Sequence, residues 1–359
     1  MKNEIRIQDT RFFINGQPTC AGLVHQGRSL EGLLFNSRMI QAIFDDENPD
    51  TRNFWRYPDT GEWDPDRNTA EFCAALPEYR RHGLLAVTVG LQGGGSIYSP
   101  AVMQAFRNSA FTPEGDLKPA YLMRLKRVLE AADAAGMVVI VSLFYWVHVR
   151  LLKGRVAVNR AIRNAVQWLL ESGHRNLLVE IANEIRPDWP EGLRPDDIQE
   201  SINLAQSVRH EGRRLLVGCS VFPTDPLQDE EWLETEDFTL PHGNDQRPGE
   251  LRKRLRAIKA THAYQKRPRP LLINEDSIFL ENMSAALQEG ASWGFYHQGF
   301  GSDYADKRLS WKGLPRESDF RHLSGFQTVP VNWSINDSAK RAFFARLAEI
   351  TGQDSHPKA

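Results

Sequence analysis

The stretch Leu177-Leu178-Val179-Glu180-Ile181-Ala182-Asn183-Glu184 decides the fold. Its aliphatic and β-branched run is that of a parallel strand covered on both faces. Side chains alternate along a strand, so Glu180, Ala182 and Glu184 share one side and Leu177, Val179 and Ile181 the other. With the second set packed against helices, the first looks inward and Glu184 stands at the strand's carboxyl end. A second stretch repeats the plan, Pro270-Leu271-Leu272-Ile273-Asn274-Glu275.

Working outward, strand-like runs start near residues 19, 84, 137, 177, 215, 238, 271 and 291. Helix candidates lie between them, at 69–82, 120–135, 156–172, 198–211, 248–264 and 279–289, with a last one at 338–350. Gly83, Gly136, Gly173, Gly212 and Gly290 follow helix ends, where a left-handed residue commonly stops the helix. Alternation of this kind means parallel strands with right-handed crossovers. Eight units predict an α/β fold, a (β/α)8 TIM barrel, over residues 1–359 as one domain. Asn15-Gly16 is a strong turn signal, so residues 1–18 read as a short N-terminal β-hairpin placed to plug the barrel bottom. The first barrel strand is expected at 19–24, with a long loop over 27–68 after it.

Bulk properties agree with an ordinary globular chain. Hydrophobic residues make up 41% of 359, and the formal net charge is −2, which gives no reason to expect a nucleic-acid partner. Cys20, Cys73 and Cys219 are too few for a disulfide framework and read as buried thiols. No apolar run reaches the ~18 residues of a membrane span, and residues 1–5 do not open a signal peptide, so the expectation is a cytoplasmic protein with no membrane partner. Gly93-Gly94-Gly95 lacks the Gly-Lys-Ser/Thr of a phosphate loop and no glycine fingerprint follows the first strand, so no cofactor is expected.

In such barrels the site lies at the carboxyl ends of the strands. Those ends offer His25, Gln92, Trp146, His148, Asn183, Glu184, Pro223-Thr224-Asp225, His242, Asn244, Asn274, Glu275, Trp293, Tyr296 and His297, with Trp55 on the long loop. Indoles stack on pyranose faces and imidazoles and amides bind hydroxyls, so a carbohydrate partner suits this set. Cleaving an acetal needs one carboxylic acid to protonate the departing oxygen and a second carboxylate to attack carbon or activate water. Glu184 and Glu275, on the fourth and seventh strands, can reach one bond from two sides.

These residues resemble the clan A glycoside hydrolases, the retaining (β/α)8 barrels that include the cellulases and mannanases. Ala182-Asn183-Glu184 and Ile273-Asn274-Glu275 match the clan's fourth and seventh strand ends, Trp293 its eighth, and Phe13-Ile14-Asn15-Gly16-Gln17-Pro18 its N-terminal hairpin. The resemblance implies that Glu184 is the acid/base, Glu275 the nucleophile, Asn183 a ligand of the sugar 2-hydroxyl and Trp293 a platform under the sugar. It leaves substrate-binding roles for His242, Trp146, His148, His25, Gln92, Tyr296 and Trp55, with His242 orienting Glu275. Many clan members carry an arginine near the end of the second strand that touches the nucleophile. Here Gln92 stands there, and Arg52 or Arg56 of the long loop is the expected substitute. The long loop and residues 301–336 are expected to wall the cleft, which favours oligosaccharides or simple glycosides. Two other readings stay open: a carbohydrate-binding barrel without catalysis, and a metal-dependent barrel hydrolase using His25, His148, His242, Glu184 and Asp225.

Overall fold

The structure, a computed structural model, describes residues 2–94, 105–223, 225–299 and 325–353. The strands among the described residues are β1 Ile5–Gln8, β2 Arg11–Ile14, β3 Gln17–Pro18, β4 Val24–His25, β5 Arg28–Ser29, β6 Asn36–Arg38, β7 Ala86–Gly90, β8 Val138–Phe144, β9 Leu177–Ala182, β10 Leu216–Gly218, β11 Ser220–Val221, β12 Leu240–Pro241 and β13 Gly294–Phe295.

One sheet runs β10-β9-β8-β7-β6-β13, every pair parallel. The circle closes through β11 paired with β12 and through single parallel bridges, Thr239 to Leu271 and Leu272 to Ser292. The ring therefore has the eight parallel members of a TIM barrel. Its helices include Pro65–Arg81, Pro119–Ala134, Gly154–Glu171, Ile198–Ser207, Pro248–Lys259, Leu280–Gln288 and Ser338–Thr351. The first begins earlier than the apolar periodicity predicts, because Asp64 caps it by accepting from the backbone of Asp66 and Arg67.

The first barrel strand departs from expectation. It is β6, at 36–38, not 19–24. Residues 17–29 instead extend the N-terminal device as β3 and the β4–β5 hairpin. Asn15 and Gly16 turn with φ of 54° and 78° between β2 and β3. The apolar run Leu33-Leu34-Phe35 just before β6 was hidden inside a segment whose overall composition is polar.

Period-two alternation divides the barrel interior into two layers. Near the strand starts, Leu34, Ala86, Val138, Ile140, Leu178, Leu240 and Leu272 form an apolar cluster that Ile5 and Phe12 of the β1–β2 hairpin cover. Two residues further along the same faces stand Asn36, Thr88, Ser142, Glu180, His242 and Asn274, all buried. The floor is greasy and plugged; the storey above it is polar and must satisfy itself internally.

The loop after β6 is packed rather than open. Phe44 lies 5.1 Å from Trp55 and 5.5 Å from Trp63, and Trp55 lies 5.6 Å from Phe106. Asp46 pins it by accepting from Trp55 Nε1 at 2.7 Å, Thr51 Oγ1 at 2.6 Å and the Arg107 backbone at 2.8 Å. Residues 301–324, the larger part of the other expected wall, together with Gly95 and Thr224, lie outside the described residues.

Candidate active site

The site is built on the polar storey. Glu184 follows β9, with its backbone N–H on Ser220 Oγ at 3.0 Å and a left-handed φ of 55°. That conformation turns the chain sharply out of the strand and is strained for a side chain other than glycine, asparagine or aspartate. Glu275 ends the seventh member of the ring, and its carbonyl accepts from Gly243 N at 3.0 Å. Side-chain oxygens of the two glutamates and a ring nitrogen of His242 all lie within 4.8 Å of one another.

Two side chains hold Glu275: Arg38 pairs with it, Nε 2.6 Å from Oε2, and Asn244 Nδ2 donates to Oε1 at 2.6 Å. Arg38 also reaches Glu180 Oε2 through Nη1 at 3.4 Å and donates through Nη2 to Asn183 Oδ1. The buried guanidinium thus ties three strand ends together. It comes from β6, so neither Arg52 nor Arg56 fills that place: Arg52 binds Asp45 and the Asp46 carbonyl, and Arg56 binds the Asn53 carbonyl.

His242 sits with Nδ1 2.9 Å from Glu184 Oε1 and Nε2 3.0 Å from Asn274 Oδ1. Its distance to Glu275 Oε2 is 3.9 Å. It therefore addresses Glu184 first, not Glu275 as the sequence suggested; Arg38 and Asn244 do that work. Burial disfavours a charged ring, yet Glu275, Glu180 and Glu184 together carry its pKa up to about 10. Burial likewise opposes charge on Glu180, but Arg38 and His242 hold its pKa down to about 2. For Glu275, burial pushes the carboxyl up, Arg38 pulls it down, and the Glu184 charge adds to the rise. Two carboxyls this close resist carrying two charges at once.

Other expected site residues fall into two groups. Tyr296 is buried with a hydroxyl pKa well above normal, through burial first and the Glu275 charge second. Tyr145 is raised to about 12 for the same two reasons, and its ring lies 6.3 Å from the half-buried Trp146. Gln92 is buried and indirect: its Oε1 accepts from Tyr145 N at 3.1 Å and its Nε2 binds Ser109 Oγ at 3.0 Å. These residues share the neighbourhood of the glutamates.

Four others do not. Trp293 is fully buried, donates to Asp276 Oδ2 at 2.9 Å, and packs on Phe343 at 6.0 Å, so it belongs to the shell between barrel and C-terminal helix. Trp55 is in the aromatic cluster of the loop after β6. His148 is enclosed against Phe106 at 4.6 Å, accepts from Asn108 N at 3.1 Å, and burial lowers its pKa to about 4. His25 lies in the β4–β5 hairpin, whose Gln26, Arg28 and Ser29 face Leu287–Gly290, the turn entering the last strand. That is the amino-terminal rim, opposite the glutamates.

Sequence reading missed Arg38, Glu180 and Ser220 as partners of the pair, while Asn244 stands among the residues it places at the strand ends. One signal was available: a carboxylate at 180 inside an aliphatic strand demands a buried cation. Arg38, preceded by Leu33-Leu34-Phe35 and followed by Met39-Ile40, is the arginine with apolar flanks to match.

The site's donor set also bears on a metal. Glu184, His242 and Glu275 each bring one ligand-type atom within 4.8 Å of the others, and both nitrogens of His242 lie against side-chain oxygens, Glu184 Oε1 and Asn274 Oδ1.

Fold and polar storey define the class as an α/β barrel with paired glutamates at its carboxyl mouth. No protein-family profile and no curated protein matches the sequence. Solved structures do. A family 5 glycoside hydrolase from Bacteroides vulgatus matches at TM-score 0.51 and 12% identity, over 82% of this chain and 62% of its own. This chain thus spans less than two thirds of that protein. A GH5-4 broad-specificity endoglucanase from Clostridium longisporum matches at TM-score 0.53 and 9% identity, over 89% of this chain and 97% of its own. An endo-β-1,4-mannanase from Thermotoga petrophila matches at TM-score 0.51 and 12% identity, over 90% and 78%. The likeness to clan A barrels is one of fold. Among the described residues no helix is long and apolar enough to cross a membrane.

Proposed function

We propose that this protein is a glycoside hydrolase that cleaves an oligosaccharide or simple glycoside with net retention, using Glu275 as nucleophile and Glu184 as acid/base. The observation that carries the reading is the approach of the two carboxyls, with oxygens within 4.8 Å across the barrel mouth. Retaining enzymes hold their carboxyls about 5–5.5 Å apart, whereas inverting ones leave about 6.5–9.5 Å for a water.

In the first step Glu275 Oε attacks the anomeric carbon, the glycosidic C–O bond breaks, and Glu184 passes its proton to the departing oxygen. In the second, Glu184 takes a proton from water, whose oxygen displaces Glu275 from carbon. Arg38 and Asn244 favour the ionised, outward-aimed Glu275 that attack needs. Donation by His242 to Glu184 Oε1 leaves Oε2 to carry the transferable proton. Asn183, with its oxygen turned to Arg38, is placed to offer its amide nitrogen to a sugar hydroxyl. The fold likeness to the endoglucanase and the mannanase supports a carbohydrate substrate, and the packed loop after β6 supports a short one.

A panel of aryl β-glycosides and oligosaccharides, with the product anomer followed by NMR, tests this. The expected result is turnover with retention, abolished in Glu275→Gln. In Glu275→Ala added azide should yield a glycosyl azide of inverted configuration. Inversion in the wild type, or turnover that survives Glu275→Ala, overturns the reading. Loss of activity on chelation would favour the metal alternative, and sugar binding without turnover the binding-protein alternative.

A further inference from the structure

Beneath the two glutamates lies a third carboxylate that the two-step reaction does not use. Glu180 is fully buried on the inward face of β9. Its Oε1 accepts from Ser220 Oγ at 2.8 Å, and its Oε2 lies 3.4 Å from Arg38 Nη1. Its Oε1 is 3.8 Å from His242 Nε2. Glu180 therefore touches the two cations that in turn touch Glu275 and Glu184, and it touches neither of those glutamates' reacting faces.

We propose that Glu180 is a positioning residue for the pair: its buried carboxylate fixes Arg38 against Glu275 and holds His242 in the doubly protonated form that donates to Glu184. The inference rests on the hydrolase reading for its consequence in turnover, but its physical content stands on geometry. A neutral imidazole has one N–H and one lone pair. Here both ring nitrogens face oxygens, Glu184 Oε1 on one side and Asn274 Oδ1 with Glu180 behind it on the other. Oxygens of Glu184, Glu180 and Glu275 lie 2.9, 3.8 and 3.9 Å from the ring nitrogens, a carboxylate setting that favours the imidazolium. The groups facing the ring are Glu180 and Glu184 from the β9 side and Glu275 and Asp276 from the seventh strand, with Arg38 of β6 behind them. Deleting the Glu180 charge removes a buried negative charge beside Arg38 and His242, and the ring's second proton then leaves more easily. His242 would lose its second proton at lower pH.

Selective 15N labelling of histidine, with the signal at 242 assigned by its loss in His242→Gln, reads the ring directly and needs no substrate. The wild-type ring should be an imidazolium at pH 8. In Glu180→Gln it should titrate at least about one pH unit lower, as expected for loss of an opposite charge at this range. The alkaline limb of kcat/KM should move the same way, and Glu180→Asp should restore most of both. A packing defect alone would lower the rate without moving the limb. A neutral wild-type ring at pH 8, or an unmoved titration in Glu180→Gln, overturns the proposal. If Glu180→Gln fails to fold, the wild-type ring and the partial shift in Glu180→Asp decide it. An imidazolium that behaves as described in a protein that cleaves no glycoside would instead sink the hydrolase reading and leave this one standing.

Discussion

Arg38 Nε lies 2.6 Å from Glu275 Oε2, with both side chains buried. The first strand of the barrel thereby holds the carboxylate at the end of the seventh. Removing one member of a buried ion pair strands the other, at a cost of about 3–5 kcal/mol. Arg38→Met should lower the unfolding free energy by about that amount and abolish turnover. Arg38→Lys keeps the charge but not the planar fork that spans Glu275, Glu180 and Asn183. It should fold and lose most of kcat, as steady-state kinetics beside denaturant titration would show.

Asn244 donates to the other oxygen of Glu275 at 2.6 Å. A hydrogen bond to a charged group is worth about 1.5–3 kcal/mol, or roughly 10- to 100-fold in rate if expressed in the transition state. Asn244→Ala should reduce kcat by about that factor with a small change in melting temperature. An unchanged kcat would show that Arg38 alone orients Glu275.

Stability should depend on pH in two opposite ways. Glu180 has a folded pKa near 2, below its unfolded value, so its contribution is present above about pH 4.5 and fades as pH falls toward 2. His242, raised to about 10, contributes fully below about pH 6.5 and loses that contribution as pH rises through 10. Unfolding free energies of wild type minus Glu180→Gln, measured from pH 2 to pH 7, should grow with pH by a few kcal/mol and then level off.

Trp293 separates a core role from a sugar platform. Trp293→Ala should destabilise by about 3–5 kcal/mol, as for other large-to-small core changes. Trp293→Phe keeps most of the packing on Phe343 while losing the bond to Asp276. It should retain KM and kcat and lose stability only. A raised KM in Trp293→Phe would return that side chain to the sugar.

Much of the barrel is legible because buried parallel strands and amphipathic helices write different periods into the sequence. Strands near 84, 137, 177, 215, 238, 271 and 291 are where those runs lie. The first was misplaced because β6 is three residues long and all polar, Asn36-Ser37-Arg38, while Thr19–Val24 imitates a strand. That slip hid Arg38. Positions near the pair could be ranked only by ordinal place along the chain, and ordinal place does not say which way a ring points. Trp293 and His148, past strand ends, and Trp55, on the loop after β6, are aromatic residues whose side chains turn into apolar shells. Their neighbours Phe343 and Phe106 are far off in sequence, and no local pattern announces them.

Glu184 keeps a left-handed backbone, φ 55°, with a full side chain attached. Such a conformation costs a non-glycine residue about 1–2 kcal/mol. Once freed from selection for chemistry, this position would drift toward glycine or asparagine, since either relaxes the turn. Glutamate at 184 is thus a continuing expense of folding. Its retention in related chains, or its decay to glycine in some of them, would sort working enzymes from retired scaffolds by inspection of one codon.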